Sequence, residues 1–142
     1  MRVLLDTNVL ISYLLAPDGG GATTRVVQAG MMGGFQMLLP EELLEEVVVT
    51  VRTHDHLAQR IPVEDLRAFV DLVSREGETI PRIKEAIPAV TCDPEDDYLI
   101  AYALVGQADY LVSGDKDLLV LDQIGDIVIV TPAEFLQLVG QQ

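Results

Sequence analysis

The chain has 142 residues, 49% hydrophobic, 23% charged and 5% aromatic, which describes one domain over 1–142 with an aliphatic core and excludes a disordered chain. Twenty-three acidic against nine basic side chains give a formal net charge of −14, which excludes broad electrostatic attraction as the means of holding a nucleic acid. No apolar run approaches the roughly 18 residues of a membrane helix, Asp6 and Asn8 interrupt the apolar amino terminus too early for a signal peptide, and a lone Cys92 fits a reducing, cytoplasmic address.

Short β-rich runs alternate with longer helical ones, the pattern of a parallel sheet covered on both faces. Arg2 to Leu5 reads as a first strand and Thr7 to Leu15 as the helix it feeds. Pro17-Asp18-Gly19-Gly20-Gly21 is a loop, followed by a helix near Thr23 to Gly30 and a second strand from Phe35 to Leu39. Pro40 is expected as a first-turn proline of the next helix, with Glu41 and Glu42 complementing its dipole and Leu43, Leu44, Val47, Val48 and Val51 forming its apolar stripe. Pro62 to Arg75 reads as another helix and Thr79 to Ile83 as a weak third strand. Asp93-Pro94 supplies an N-cap and a first-turn proline ahead of Leu99, Ile100, Ala103 and Leu104. Tyr110 to Ser113 and Ile127 to Val130 are continuous apolar runs, as buried parallel strands should be, and Pro132 opens a terminal helix through Leu138. There are no internal repeats.

Carboxylates recur where strands end: Asp6 after Val3-Leu4-Leu5, Glu45 and Glu46, Asp96 and Asp97, then Asp115 and Asp117. Burying a carboxylate is costly without a positive partner, and the few Lys and Arg lie mostly elsewhere in the sequence. A divalent cation is the economical partner, and hard oxygen ligands select Mg²⁺ or Mn²⁺, ions suited to phosphodiester hydrolysis. In a doubly wound sheet the ligand crevice lies beyond the carboxyl ends of the strands where the strand order reverses. If the strands before Asp6 and Asp115 are neighbours, both carboxylates converge there. Two basic clusters, Arg52-His54-His56-Arg60 and Arg82-Lys84, read as solvated surface, and His54 and His56 as a polar helix end.

Leu5-Asp6-Thr7-Asn8-Val9-Leu10 resembles the opening motif of PIN-domain nucleases, and three later segments resemble the rest of that pattern. Pro40-Glu41-Glu42-Leu43-Leu44-Glu45-Glu46-Val47 resembles the helix that carries the family's glutamate; helical geometry does not separate Glu45 from Glu46, and only the resemblance assigns the role to Glu46. Asp93-Pro94-Glu95-Asp96-Asp97-Tyr98-Leu99-Ile100-Ala101 resembles the third acidic motif with Asp97 in the catalytic slot, and Ala108 to Leu119 resembles the fourth with Asp115 as principal acid. The resemblance extends to the bacterial and archaeal subgroup of toxin components of toxin–antitoxin pairs, the VapC-like ribonucleases. It implies a three-layer α/β/α PIN-like fold with a central five-stranded parallel sheet, Mg²⁺- or Mn²⁺-dependent cleavage of single-stranded RNA, a small antitoxin protein as partner, and a homo-oligomer. Asp6, Glu46, Asp97 and Asp115 would then be catalytic and metal-holding, with Thr7, Asn8, Asp96, Ser113 and Asp117 in support. Pro40 and Ser113 depart from the family pattern, where a small hydroxyl residue and a threonine are usual.

Water as nucleophile would leave a 5′-phosphate and a 3′-hydroxyl. Two alternatives use similar parts. A catalytically weak PIN-like module that binds RNA or protein is compatible with the net charge, and a metal-dependent aspartyl phosphatase would also place an acid after strand one. The phosphatase needs a second Asp two residues on, where this chain has Asn8.

Overall fold

The computed structural model describes residues 1–89, 91 and 93–140, so Cys92 lies outside the described residues. The first strand, β1 (Arg2–Leu5), buries Val3, Leu4 and Leu5 at 0, 0 and 1% exposure. Successive strand side chains point to opposite faces, so burial of all three requires cover on both sides. After β1 come α1 (Thr7–Leu15), α2 (Ala22–Met31), β2 (Gln36–Pro40), α3 (Glu41–Thr53), α4 (Asp55–Arg60), α5 (Val63–Glu76) and β3 (Glu78–Ile80). The second half adds α6 (Pro94–Val105), β4 (Tyr110–Val112), α7 (Lys116–Leu119), β5 (Gln123–Ile124), β6 (Ile127–Val130) and α8 (Pro132–Gly140).

The sheet runs β3-β2-β1-β4-β6-β5. Its first five members are mutually parallel, giving the expected three-layer α/β/α arrangement, while β5 pairs antiparallel with β6. The five parallel strands are those expected, and β5 adds a sixth, antiparallel strand at the edge. It is only two residues long and is joined to β6 through Gly125 and Asp126, with Gly125 at φ 58° as a tight hairpin connection needs. Among the described residues no helix is long and apolar enough to cross a membrane.

Prolines set several boundaries. Pro40 is the last residue of β2, opposite Ile80 of β3, and serves as N-cap of α3 with φ −58° and ψ 135°; the expected place inside the first turn is corrected by one residue. Pro62 likewise caps α5, which starts at Val63. Pro81 cannot donate to a ladder, and β3 ends at Ile80, short of the expected Ile83. Pro94 occupies the first turn of α6, and Asp93 caps it by accepting the Glu95 N–H at 2.9 Å.

Two details fix the position of the site. Leu5 of β1 stands opposite Val112 of β4, and the Asp6 N–H donates to the Val112 carbonyl at 2.9 Å, so the two chains leave the sheet side by side. Tyr102 of α6 is fully buried and its hydroxyl donates to Glu42 Oε1 at 2.9 Å while accepting the Ile83 N–H at 3.0 Å. That bond network ties α6 to α3 and to the segment after β3.

Candidate active site

β1 and β4 are neighbours, yet the chain leaves β1 toward β2 on one side and reaches β4 on the other. Their carboxyl ends are therefore the point where strand order reverses, and the crevice there is where this architecture places ligands. Asp6 follows β1 directly and is the N-cap of α1. Asp115 follows β4 by way of Ser113 and Gly114, and caps α7 by accepting the Asp117 N–H at 2.9 Å. Ser113, fully buried, links them: its hydroxyl donates to Asp6 Oδ2 at 2.7 Å and accepts the Asp115 N–H at 3.0 Å. The serine thus retains the hydrogen-bonding hydroxyl of the threonine usual at this place.

A cavity of about 80 Å³ opens at this point, lined by Asp6, Thr7, Asn8, Glu46, Glu95, Asp96, Tyr98, Leu99 and Asp115. Five of these side chains are carboxylates and none is basic. Asp6 and Asp96 are only 7% and 3% exposed, and Asp96 Oδ2 is buried without a hydrogen-bond partner among the described residues. Glu46, half-buried on α3, accepts the Tyr98 hydroxyl at 3.0 Å through Oε2. Carboxylate oxygens of Asp96, Asp115 and Asp117 can all lie within 4.8 Å of one another.

Burial pushes the Asp96 carboxyl up to about 6, with the nearby charges of Asp115, Asp93 and Asp6 adding to the effect. Burial also raises Asp6, against the opposing hydrogen bonds from Ser113 and the Asn8 backbone. Glu46 is raised by burial and by Glu95 and Asp6, and held back by the hydroxyls of Tyr98 and Thr7. The Tyr98 phenol is pushed up by its own burial and by Glu46, so it stays a donor. Anionic groups crowded without a counter-charge titrate high. The orphaned oxygen of Asp96 and the all-oxygen donor set both fit a hard divalent cation.

The structure brings Asp6, Glu46, Asp96 and Asp115 together, with Thr7 and Asn8 on the cavity wall, Ser113 between the two strand-end acids and Asp117 at the rim. Asp97 is not among the residues that line this cavity. Asp97 Oδ1 accepts the Thr91 N–H at 2.6 Å, and the side chain lines a different, largely apolar cavity of about 270 Å³ with Ile83, Ile100, Ala101 and Leu104. Its neighbour Asp96 lines the strand-end cavity instead, one helical residue being a turn of about 100°. Glu45 is exposed and ion-paired to Arg82, whereas Glu46 accepts the Tyr98 hydroxyl, so the neighbouring glutamates have different partners. His54 sits at the junction of α3 and α4 with Nδ1 2.9 Å from the Thr50 carbonyl, and its ring meets His56 edge-on at 6.1 Å, which makes both part of a helix end.

Sequence reasoning missed Glu95 and Tyr98 as wall residues. The signal was weak: Glu95 lies in the acidic first turn of α6 and Tyr98 in the turn after it, and only the fold shows that Tyr98 reaches Glu46 across to α3.

The α/β/α fold thus gathers carboxylates at its strand-order reversal, an oxygen-donor set that a hard divalent cation would fit. The PIN domain family model matches residues 2–117, and the chain belongs to the PIN domain family. That family is one of nucleases, which makes nucleic acid the substrate class. No curated protein matches the chain.

Proposed function

We propose that this protein is a Mg²⁺- or Mn²⁺-dependent endoribonuclease for single-stranded RNA, the toxin of a toxin–antitoxin pair acting in the cytoplasm as a homo-oligomer. In this reading Asp6, Glu46, Asp96 and Asp115 hold the cation, and Asp117 lends a further oxygen at the rim. Asp96 takes the place that the motif resemblance alone gives to Asp97. The observation that carries the reading is the buried Oδ2 of Asp96, without a hydrogen-bond partner among the described residues, in a pocket of carboxylates at the strand-order reversal. A bound divalent cation would supply Lewis-acid activation of water and would offset the charge of the phosphate.

The chain's own residues orient the parts. Ser113 holds Asp6 and the Asp115 backbone in one arrangement, and Tyr98 fixes Glu46, so the ligands are set before substrate arrives. Water adds to phosphorus in line with the departing 3′-oxygen; the new O–P bond forms as the P–O3′ bond breaks, and the 3′-oxygen takes up a proton. The products are a 5′-phosphate and a 3′-hydroxyl. The acidic cavity also supports an antitoxin segment that presents Arg or Lys, since a guanidinium pairs with two carboxylate oxygens at once.

Incubation of a mixed-sequence single-stranded RNA with purified protein tests the reading. Cleavage is expected with Mn²⁺ and not in EDTA, it should be lost in Asp6→Asn and Asp115→Asn, and end-group analysis should return 5′-phosphates. RNA binding without any metal-stimulated cleavage would favour the binding-module alternative, which the net charge of −14 keeps in view.

A further inference from the structure

An RNA strand must reach a pocket whose own walls hold no positive side chain. The 80 Å³ pocket adjoins a larger cavity of about 580 Å³, and the two share Glu46, Glu95 and Tyr98. Among the described residues that line either cavity, Arg82 is the one basic side chain. It extends from the irregular segment after β3, its side chain half exposed, with Nη1 3.3 Å from Glu42 Oε1 and Nη2 paired to Glu45. The volume lies within the roughly 300–1,000 Å³ of small-ligand sites, and exposed Val49 with Pro94 gives it an apolar wall against which a base can lie.

We infer that Arg82 receives a phosphate of the RNA strand next to the scissile one, exchanging its pairs with Glu42 and Glu45 for that phosphate when RNA enters the larger cavity. The inference rests on the ribonuclease reading and names a positioning residue for it. The exchange is physically cheap on the protein side. Exposed ion pairs hold weakly, Glu42 Oε1 keeps the Tyr102 hydroxyl at 2.9 Å after Arg82 leaves, and the exposed Glu45 rehydrates. A phosphate offers the guanidinium a bidentate, charge-assisted pair. With 23 acidic side chains on the chain, a guanidinium held by carboxylates is also a gate: it gives way to a polyanion and leaves the cavity acidic otherwise. The rival role for Arg82 is a static pin that fastens the segment after β3 to α3.

Steady-state cleavage of a fluorophore-labelled single-stranded RNA containing all four bases, in Mn²⁺, separates these roles. Arg82→Ala is expected to raise KM about tenfold with kcat within about twofold, and to flatten the slope of log(kcat/KM) against log[salt] by ~0.7, the value for one lost phosphate contact on a single strand. Arg82→Lys should recover part of the KM. Glu45→Gln, which releases Arg82, should lower KM by about two- to threefold, and that gain should vanish in the Arg82→Ala/Glu45→Gln double variant. An Arg82→Ala protein with a lowered melting temperature but parental KM and salt slope is a pin, and the inference falls. A Glu45→Gln gain that persists without Arg82 also overturns it, since charge removal alone would then explain the effect. A parent that cleaves nothing in Mn²⁺ sinks the ribonuclease reading itself, whereas a cleaving parent matched by Arg82→Ala in KM and salt slope sinks only the role of Arg82.

Discussion

Asp96 is buried at 3% exposure with one oxygen unpartnered among the described residues, and its carboxyl is pushed up to about 6 by burial and by Asp115, Asp93 and Asp6. Between the usual aspartate range near 4 and this value the folded protein holds the proton that the unfolded chain has released, so the group's contribution to stability falls as pH rises through that window. Asp6 and Glu46 shift in the same direction. In EDTA the melting temperature is therefore expected to fall as pH rises from about 4 through about 6, while Mn²⁺ affinity, which needs the ionised carboxylates, should climb over the same range. Melting curves at several pH values with and without Mn²⁺ check both trends; parallel curves would disconnect the acids from any cation. At the neighbouring pair on α3, Glu46→Gln should lower kcat by about a hundredfold or more through loss of a charged ligand, and Glu45→Gln should leave kcat near the parental value. Equal losses would place both glutamates at the reaction. Which glutamate faces the pocket was legible only through the motif resemblance, because both lie at similar angles to the apolar stripe; the contacts of Glu46 with Tyr98 and Glu45 with Arg82 come from the fold.

Element identity was largely written in the periodicity and in the proline and glycine positions. The apolar runs of β1 and β6 matched their strands end to end, and Asp93-Pro94 started α6 where an N-cap and first-turn proline should. What escaped were elements too short to carry a period: α4, α7 and the two residues of β5. The orientation of α6 was not legible for another reason. Two consecutive aspartates both fit an acidic first turn, and which of them lines the strand-end cavity depends on how α6 is rotated, which the hydrogen bonds of Tyr98 to Glu46 and of Tyr102 to Glu42 and Ile83 hold. The turn from α5 into β3 gives a prediction at this scale. A Cβ added at Gly77 would lie 2.8 Å from the Met37 carbonyl oxygen and 2.9 Å from that of Val73, both backbone atoms that cannot swing aside. Gly77→Ala is expected to destabilise the protein by about 1–3 kcal/mol, read from chemical denaturation at constant m-value, and a neutral result would mean that α5 shifts freely against β2.

For the whole molecule, the net charge of −14 and the crowding of carboxylates at one crevice act together. Self-repulsion works against the fold, and a cation bound there would return RT ln(1 + [L]/Kd), about 2.7 kcal/mol at a hundredfold excess over Kd. For a chain of this size that is a rise in Tm of about 10 °C. In EDTA, Asp96→Asn should melt at or above the parent, since a buried repelling charge is lost; in Mn²⁺ the order should invert because the variant gains little. The central claim is that the cation-holding acid of α6 is Asp96, in a ribonuclease site completed by Asp6, Glu46 and Asp115. The measurement that tests it most directly is the Mn²⁺-dependent rate of single-stranded RNA cleavage by Asp96→Asn and Asp97→Asn beside the parent. The account predicts a loss of about a hundredfold or more in Asp96→Asn and a rate within a few fold of parental in folded Asp97→Asn, whose amide oxygen can still accept the Thr91 N–H. Parental activity in Asp96→Asn with activity abolished in folded Asp97→Asn would contradict it.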